Sequence, residues 1–266
     1  MSDAVTHENE YYDHMVTMLE LIWGKGYMAP GGAGNVAKIL KGTEPRGKRI
    51  LDVGCGIGGP AFEMAQTYGA NVVGIDLEAP LIDRATAAAN ANGLQDQCSF
   101  ETVEVGPLPF PDQSFDIVIS SGAITQTGDK PSLLGECYRV LVPGGYLSCY
   151  EWMKSERDYS GEMHYWFEVE GLTYALETLD QLRDRFRTAG FVDVNATDAS
   201  AWYRAEARRE YELIKGPLYG DLVRHLGKRD ADHFVENWRA MVVVCDSGEM
   251  RQGYCRGRRI STVRAA

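Results

Sequence analysis

The chain has 266 residues, 44% of them hydrophobic and 24% charged, with a net charge of −11. That is the make-up of an ordinary globular protein, long enough for one large domain or one domain with a cap. The acidic excess repels phosphate backbones and argues against nucleic acid as a partner. The dense basic run Arg256-Gly257-Arg258-Arg259 is short and near the end, and reads as a solvated tail. No apolar run is long enough to cross a bilayer, and neither a signal peptide nor a lipidation motif is recognisable, so no membrane partner and a cytoplasmic location are expected. The six cysteines are scattered without a Cys-x-x-Cys pair, which predicts buried free thiols and no metal site.

Residues 1–8 are polar. Tyr11 to Trp23 carries Met15, Leu19 and Ile22 at helical spacing, with Met18 and Leu21 beside them. A glycine-rich loop follows, from Gly24 through Tyr27 to Gly32, and a second helix is predicted from about Asn35 to Leu40. Together these form a helical cap over residues 9–42.

From residue 48 to 150 strands and helices alternate. Strands are predicted near 49–53, 71–75, 98–104, 115–120 and 145–150, and helices near 60–68, 79–92 and 131–141. Such alternation implies an α/β fold with a Rossmann-like parallel sheet covered on both faces, and ligands at the carboxyl edge of the strands. Ile50-Leu51-Asp52-Val53 runs into Gly54-Cys55-Gly56-Ile57-Gly58-Gly59, a strand, a tight turn and a helix start. No Gly-Lys-Ser/Thr follows, which argues against a P-loop. A second buried strand ends at Asp76, where the ribose-binding acid of a nucleotide fold sits. Glu104 and Ser121-Gly122-Ala123 fall at the same edge.

Residues 151–178 read as a lid inserted between sheet strands. Trp152, Tyr159, His164, Tyr165, Trp166, Phe167 and Tyr174 crowd there with Glu151, Glu162, Glu168 and Glu170. Such rings suit a packed core and equally a cage for a methylated cation. The remainder, 179–266, completes the same domain: a helix from Leu179 to Ala189, a strand over Phe191–Ala196, helical sequence over 201–246 broken at Gly216-Pro217, and a last strand around Arg251–Arg256.

The run Asp52-Val53-Gly54-Cys55-Gly56-Ile57-Gly58-Gly59 resembles motif I of the S-adenosylmethionine (SAM) dependent methyltransferases. Leu108-Pro109-Phe110-Pro111-Asp112, Ser114-Phe115-Asp116 and Val142-Pro143-Gly144-Gly145 resemble further motifs of class I, over residues 48–150. The resemblance implies SAM as cofactor. It places Asp52, Gly54 and Gly56 on the turn that holds it, Asp76 on the ribose, Leu77 on the adenine, Glu104 on the adenine amine, and Tyr27, Val105 and Ser121 among the cofactor-binding residues.

Tyr11 through Leu40, with Gly24-x-x-Tyr27 and Gly31-Gly32, resembles the phosphoethanolamine N-methyltransferases, thinly as far as Gly253-Tyr254. The family's active-site tyrosine is matched by Tyr11. Its catalytic histidine falls on Gln126, an acid four positions earlier on Gly122, and its phosphate-gripping arginine and lysine on Leu172 and Met241. A phosphate without cationic partners is poorly bound. The expectation is therefore methyl transfer to a small-molecule amine, with S-methylation of a thioether or thiol as the alternative and a catalytically inactive SAM-binding protein as a third reading. Tyr11, Gln126, Glu151 and Trp152 are expected to converge above the methyl group. The oligomeric state is left open.

Overall fold

The structure, a computed structural model, describes residues 13–260. Seven strands form one sheet: β1 Arg49–Val53, β2 Asn71–Asp76, β3 Cys98–Thr102, β4 Phe115–Ser121, β5 Leu141–Lys154, β6 Val192–Asp198 and β7 Met250–Arg258. Their order is β3-β2-β1-β4-β5-β7-β6. The first five are parallel, and β7 lies antiparallel between β5 and β6. The strand order reverses between β1 and β4, so the crevice beyond their carboxyl ends is where such a fold binds ligands.

Both sheet faces are covered, as the near-continuous apolar strands require. On one face lie α2 Gly32–Ile39, α3 Gly59–Tyr68 and α4 Ala79–Ala91, with Val36, Ile39, Ala61, Met64 and Ala89 packed on Ile50, Val72, Ile117 and Tyr150. On the other lie α5 Lys130–Val140 and α7 Leu179–Thr188, with Leu134, Cys137, Leu182 and Phe186 against Leu51, Val118 and Leu147. The helix α1 Asp13–Trp23 packs on a C-terminal helical group, α8 Ser200–Lys215, α9 Tyr219–Leu226 and α10 Lys228–Asp246, through Met18, Leu19, Ile22, Ile214, Leu222, Phe234 and Trp238. The short helix α6 Gly161–Glu170 packs on α10.

The predicted elements are present with shifted ends. β3 stops at Thr102, which leaves Glu104 exposed on the loop that follows. β5 is longer than expected at both ends, because β7 pairs with it from Tyr146 to Lys154 and a register shift between Phe115 and Ile117 absorbs the Pro143-Gly144 turn. Trp152 and Lys154 are thus strand residues, and the segment expected over residues 151–178 leaves the sheet only after Lys154. The break at Gly216-Pro217 is as expected. A second break at Gly227, whose φ is 85°, separates α9 from α10. All six cysteines are free and buried. No helix among the described residues is long and apolar enough to cross a membrane.

Candidate active site

The turn after β1 is fixed by its neighbour strand and by one carboxylate. Gly54 and Cys55 donate their N–H groups to the Ile75 carbonyl at 2.8 and 3.0 Å. Asp76, at the end of β2, accepts from the Gly56 N–H at 2.9 Å and from the Glu78 N–H at 3.1 Å. A carboxylate offers about four lone-pair sites, so each Asp76 oxygen retains acceptor capacity after these bonds. Burial raises the Asp76 pKa, opposed by the N–H groups of Glu78, Gly56 and Leu77.

Gly54 has φ of 73°, and a Cβ there would stand 2.1 Å from the Ala123 Cβ. Only glycine lets the turn after β1 approach the loop after β4 this closely. Asp52 lies beneath, 1% exposed, with Oδ2 unpartnered. Burial, and secondarily the charge of Asp76, pushes its carboxyl up to about 7.

The cap reaches this turn through its loop. Gly59 donates to the Gly26 carbonyl at 2.9 Å, and a Cβ on Gly59 would stand 2.2 Å from that oxygen. Met28 packs with Val16 of α1, Ile57 of the turn and Leu81 of α4. Tyr27, expected on the cofactor, follows Gly26 directly, and its backbone nitrogen lies 3.1 Å from where a Cβ on Gly59 would stand. Its half-buried ring packs with the cluster under α2 and α3, and its hydroxyl is pushed up to about 12 by burial and then by Glu63 and Tyr68 of α3. The loop turns at Gly26 and sends its backbone onto the glycines.

Leu77 and Val105 are 45% and 74% exposed, an apolar rim beside the turn with Glu104 exposed between strands. Ser121, half-buried at the end of β4, accepts from Asn35 Nδ2 at a marginal 3.5 Å, and Asn35 Oδ1 accepts from the Tyr254 hydroxyl at 2.6 Å. That link ties cap, β4 and β7 together and was not anticipated.

Of the four residues expected above the methyl group, Tyr11 lies outside the described residues. Gln126 is half-buried on the 3₁₀ turn Ile124–Gln126. Glu151 and Trp152 do not converge. Adjacent strand residues point to opposite faces. Glu151 lies under the 3₁₀ turn, where its Oε2 accepts from the Thr125 N–H at 2.9 Å. Burial pushes its pKa up to about 7. Lys130, also buried, donates its ammonium to the Thr127 and Ala175 carbonyls close by. Glu151 therefore supports the turn that carries Gln126.

Trp152 stands on the other side, its Nε1 3.8 Å from where a Cβ on Gly122 would lie. It stacks near-parallel on Trp166 at 6.3 Å and meets Tyr203 edge-on at 5.0 Å. Met241 is buried in the same cluster, and Leu172 is half-buried just past α6. Two acids border the rings. Glu210 of α8 accepts from Trp23 Nε1 at 2.6 Å and Trp238 Nε1 at 3.0 Å, and burial pushes it up to about 7. Glu170 accepts from Asn237 Nδ2 and from the Tyr174 hydroxyl. Glu210 was missed although its signal was present: Tyr203, Ala207, Glu210 and Ile214 make one helical stripe, and an acid within such a stripe must be buried with donors.

Residues 51–149 match the family described as the methyltransferase domain. The chain carries a class I SAM-dependent methyltransferase domain. Phosphoethanolamine N-methyltransferase 1 of Arabidopsis thaliana is 29% identical to it over 245 residues, 92% of this chain and 49% of that protein. The chain spans about half the length of that relative. Among solved structures, phosphoethanolamine N-methyltransferase 2 of Haemonchus contortus, with phosphomonomethylethanolamine and S-adenosylhomocysteine, superposes with a TM-score of 0.88 at 23% identity, over 95% of this chain and 59% of that one. The [4+2]-cyclase SpnF superposes with a TM-score of 0.73 at 22% identity, over 93% of this chain and 94% of that one. These two likenesses establish the fold, and the cyclase is a reminder that the fold alone does not fix the reaction.

Proposed function

We propose that the protein transfers the methyl group of SAM to a small-molecule amine that carries no phosphate. The observation that supports the cofactor best is the Gly54–Gly59 turn clamped by Asp76 and covered by the cap loop. Asp76 has acceptor capacity for a ribose diol, the exposed Leu77 and Val105 offer an apolar surface to an adenine, and Ser121 and Gly122 border the methionine end. Asp52, beneath the turn, has a buried unpartnered oxygen and so retains acceptor capacity there.

Bound SAM supplies a methyl on a positively charged sulfur, open to displacement by an acceptor lone pair. The chain's own residues have to orient the acceptor and exclude water. Gln126 has no accessible pKa and serves as an orienting hydrogen-bond partner. Trp152 presents a ring beside Gly122 to an acceptor that becomes cationic on methylation. The Arabidopsis thaliana and Haemonchus contortus relatives are named for phosphoethanolamine. Here Met241, buried among Trp152, Trp166 and Tyr203, itself brings no counter-charge to a phosphate dianion.

The test is release of S-adenosylhomocysteine from SAM across primary, secondary and tertiary amines, thioethers, thiols and phosphoethanolamine. Turnover of amines above the others supports this reading. Turnover confined to thioethers or thiols would replace it with S-methylation, and SAM binding with no turnover of any acceptor would leave a binding protein.

A further inference from the structure

The loop between α1 and α2 has a glycine on each side of Lys25, and Gly24 and Gly26 have φ of 99° and 88°. Such a segment has many conformations open to it unless something restrains it. One residue of α1 restrains it twice. The Glu20 carbonyl accepts from the Gly24 N–H at 2.9 Å, and the Glu20 carboxylate accepts from the Gly26 N–H at 2.7 Å. The second bond is charge-assisted and reaches six residues along the chain. A carboxylate in the last turn of a helix meets the negative end of the helix dipole, and α1 has no basic residue there to offset it. Helix stability therefore does not account for Glu20, whereas its bond to the loop does.

The residue that Glu20 holds is the one that touches the cofactor turn. The Gly26 carbonyl accepts from the Gly59 N–H at 2.9 Å. Two residues on, Met28 meets the same turn at a second point, where a Cβ on Gly56 would stand 3.0 Å from the Met28 Sδ. Gly56 is also the residue clamped by Asp76. The loop thus covers the glycine turn at Gly56 and at Gly59. The helix behind it is anchored separately: Val16, Met18, Leu19 and Ile22 are buried, and Trp23 Nε1 donates to Glu210. The Glu20 backbone is fixed by that packing, and its side chain alone reaches across to Gly26.

We propose that Glu20 is a positioning residue for the cofactor. Acting through Gly26, its carboxylate holds the cap loop on the Gly54–Gly59 turn and sets how long the cofactor stays bound. This role concerns the cofactor alone and is independent of which acceptor is methylated.

The probe is radiolabelled S-adenosylhomocysteine, bound to the full chain and chased with excess unlabelled compound, with melting temperature of the unliganded protein measured alongside. Glu20→Ala is expected to release it about tenfold or more faster, the scale of one charge-assisted hydrogen bond. Glu20→Gln keeps a side-chain oxygen for Gly26 without the charge, and should fall between that variant and the parent. Release at the parent rate from folded Glu20→Ala, whatever its melting temperature, overturns the inference, because a residue that only stabilises the cap shifts melting alone. Amide hydrogen exchange on the unmodified protein gives a second reading that no folding failure can remove. One opening of the loop exposes both amides, so Gly26 and Gly59 are expected to show matching protection and to gain it together on saturation with S-adenosylhomocysteine. Protection at Gly59 that rises while Gly26 stays unprotected overturns the inference as well.

Discussion

Glu151 and Trp152 are consecutive residues of β5 that serve opposite faces of the sheet. The Glu151 carboxylate takes the Thr125 N–H beneath the 3₁₀ turn, and the Trp152 ring stacks on Trp166 across the sheet. The first holds the segment bearing Gln126 in place; the second forms a wall beside Gly122.

The two positions are expected to respond differently to substitution. Glu151→Gln keeps an acceptor for Thr125 and should leave KM for the acceptor nearly unchanged. Glu151→Leu strands a buried N–H and should cost about 1–3 kcal/mol of stability. Trp152→Phe keeps most of the packing but weakens the ring that faces a cation, by roughly 0.5–2 kcal/mol, or about two- to thirtyfold in kcat/KM, with SAM affinity intact. Steady-state kinetics and thermal melts of the three variants check this. A Glu151→Gln variant that folds but loses turnover would put Glu151 back among the reacting groups.

Asp76→Ala removes both the clamp on Gly56 and the acceptor for a ribose. SAM affinity is expected to fall by roughly 1.5–3 kcal/mol, the scale of a charge-assisted hydrogen bond. Calorimetry on the folded variant measures it, and unchanged affinity would detach Asp76 from the cofactor.

Gly59→Ala puts a methyl where the Gly26 carbonyl already lies, 2.2 Å away. Backbone has to shift, so the cap loop is expected to lift from the turn at a cost of about 1–3 kcal/mol. Melting temperature and SAM affinity should fall together. A variant with native values in both would show that the cap loop is not required over the turn.

Asp52, Glu151 and Glu210 are each pushed up to about 7 by burial, from ordinary values of 3.8, 4.5 and 4.5. A carboxyl raised on folding stabilises the folded state fully below its unfolded pKa, and that contribution is lost as pH rises through the folded pKa. These three groups therefore work against stability between about pH 4 and pH 7. Glu210 also feels Glu206, which raises its pKa, and Arg209, which lowers it. Glu210→Gln keeps one acceptor oxygen for Trp23 or Trp238 and removes the titration. Its melting temperature is expected to fall less steeply than the parent's from pH 5 to pH 7. Parallel curves would show that Glu210 titrates at its ordinary value.

The sheet, the glycine turn and the acid at the end of β2 were legible because each depends on local pattern: β-branched runs, glycines at a turn, an acid at a strand end. The direction of Glu151 was not, because strand parity could be assigned only once β5 was known to pair with β7 as far as Lys154. The contact of the Gly26 carbonyl with Gly59 was not legible either, because it depends on where the cap loop turns and not on local pattern. The contact of α1 with α8 and α10, sealed by Trp23, Glu210 and Trp238, joins residues nearly two hundred positions apart, and local pattern carries no distance of that length.

The most direct test of the account is kcat/KM for phosphoethanolamine against unphosphorylated amines of similar size, read as S-adenosylhomocysteine released from SAM. The account predicts clear, saturable release with an unphosphorylated amine and poor release with phosphoethanolamine. Efficient turnover of phosphoethanolamine at micromolar concentration, with the free amines inert, would contradict it.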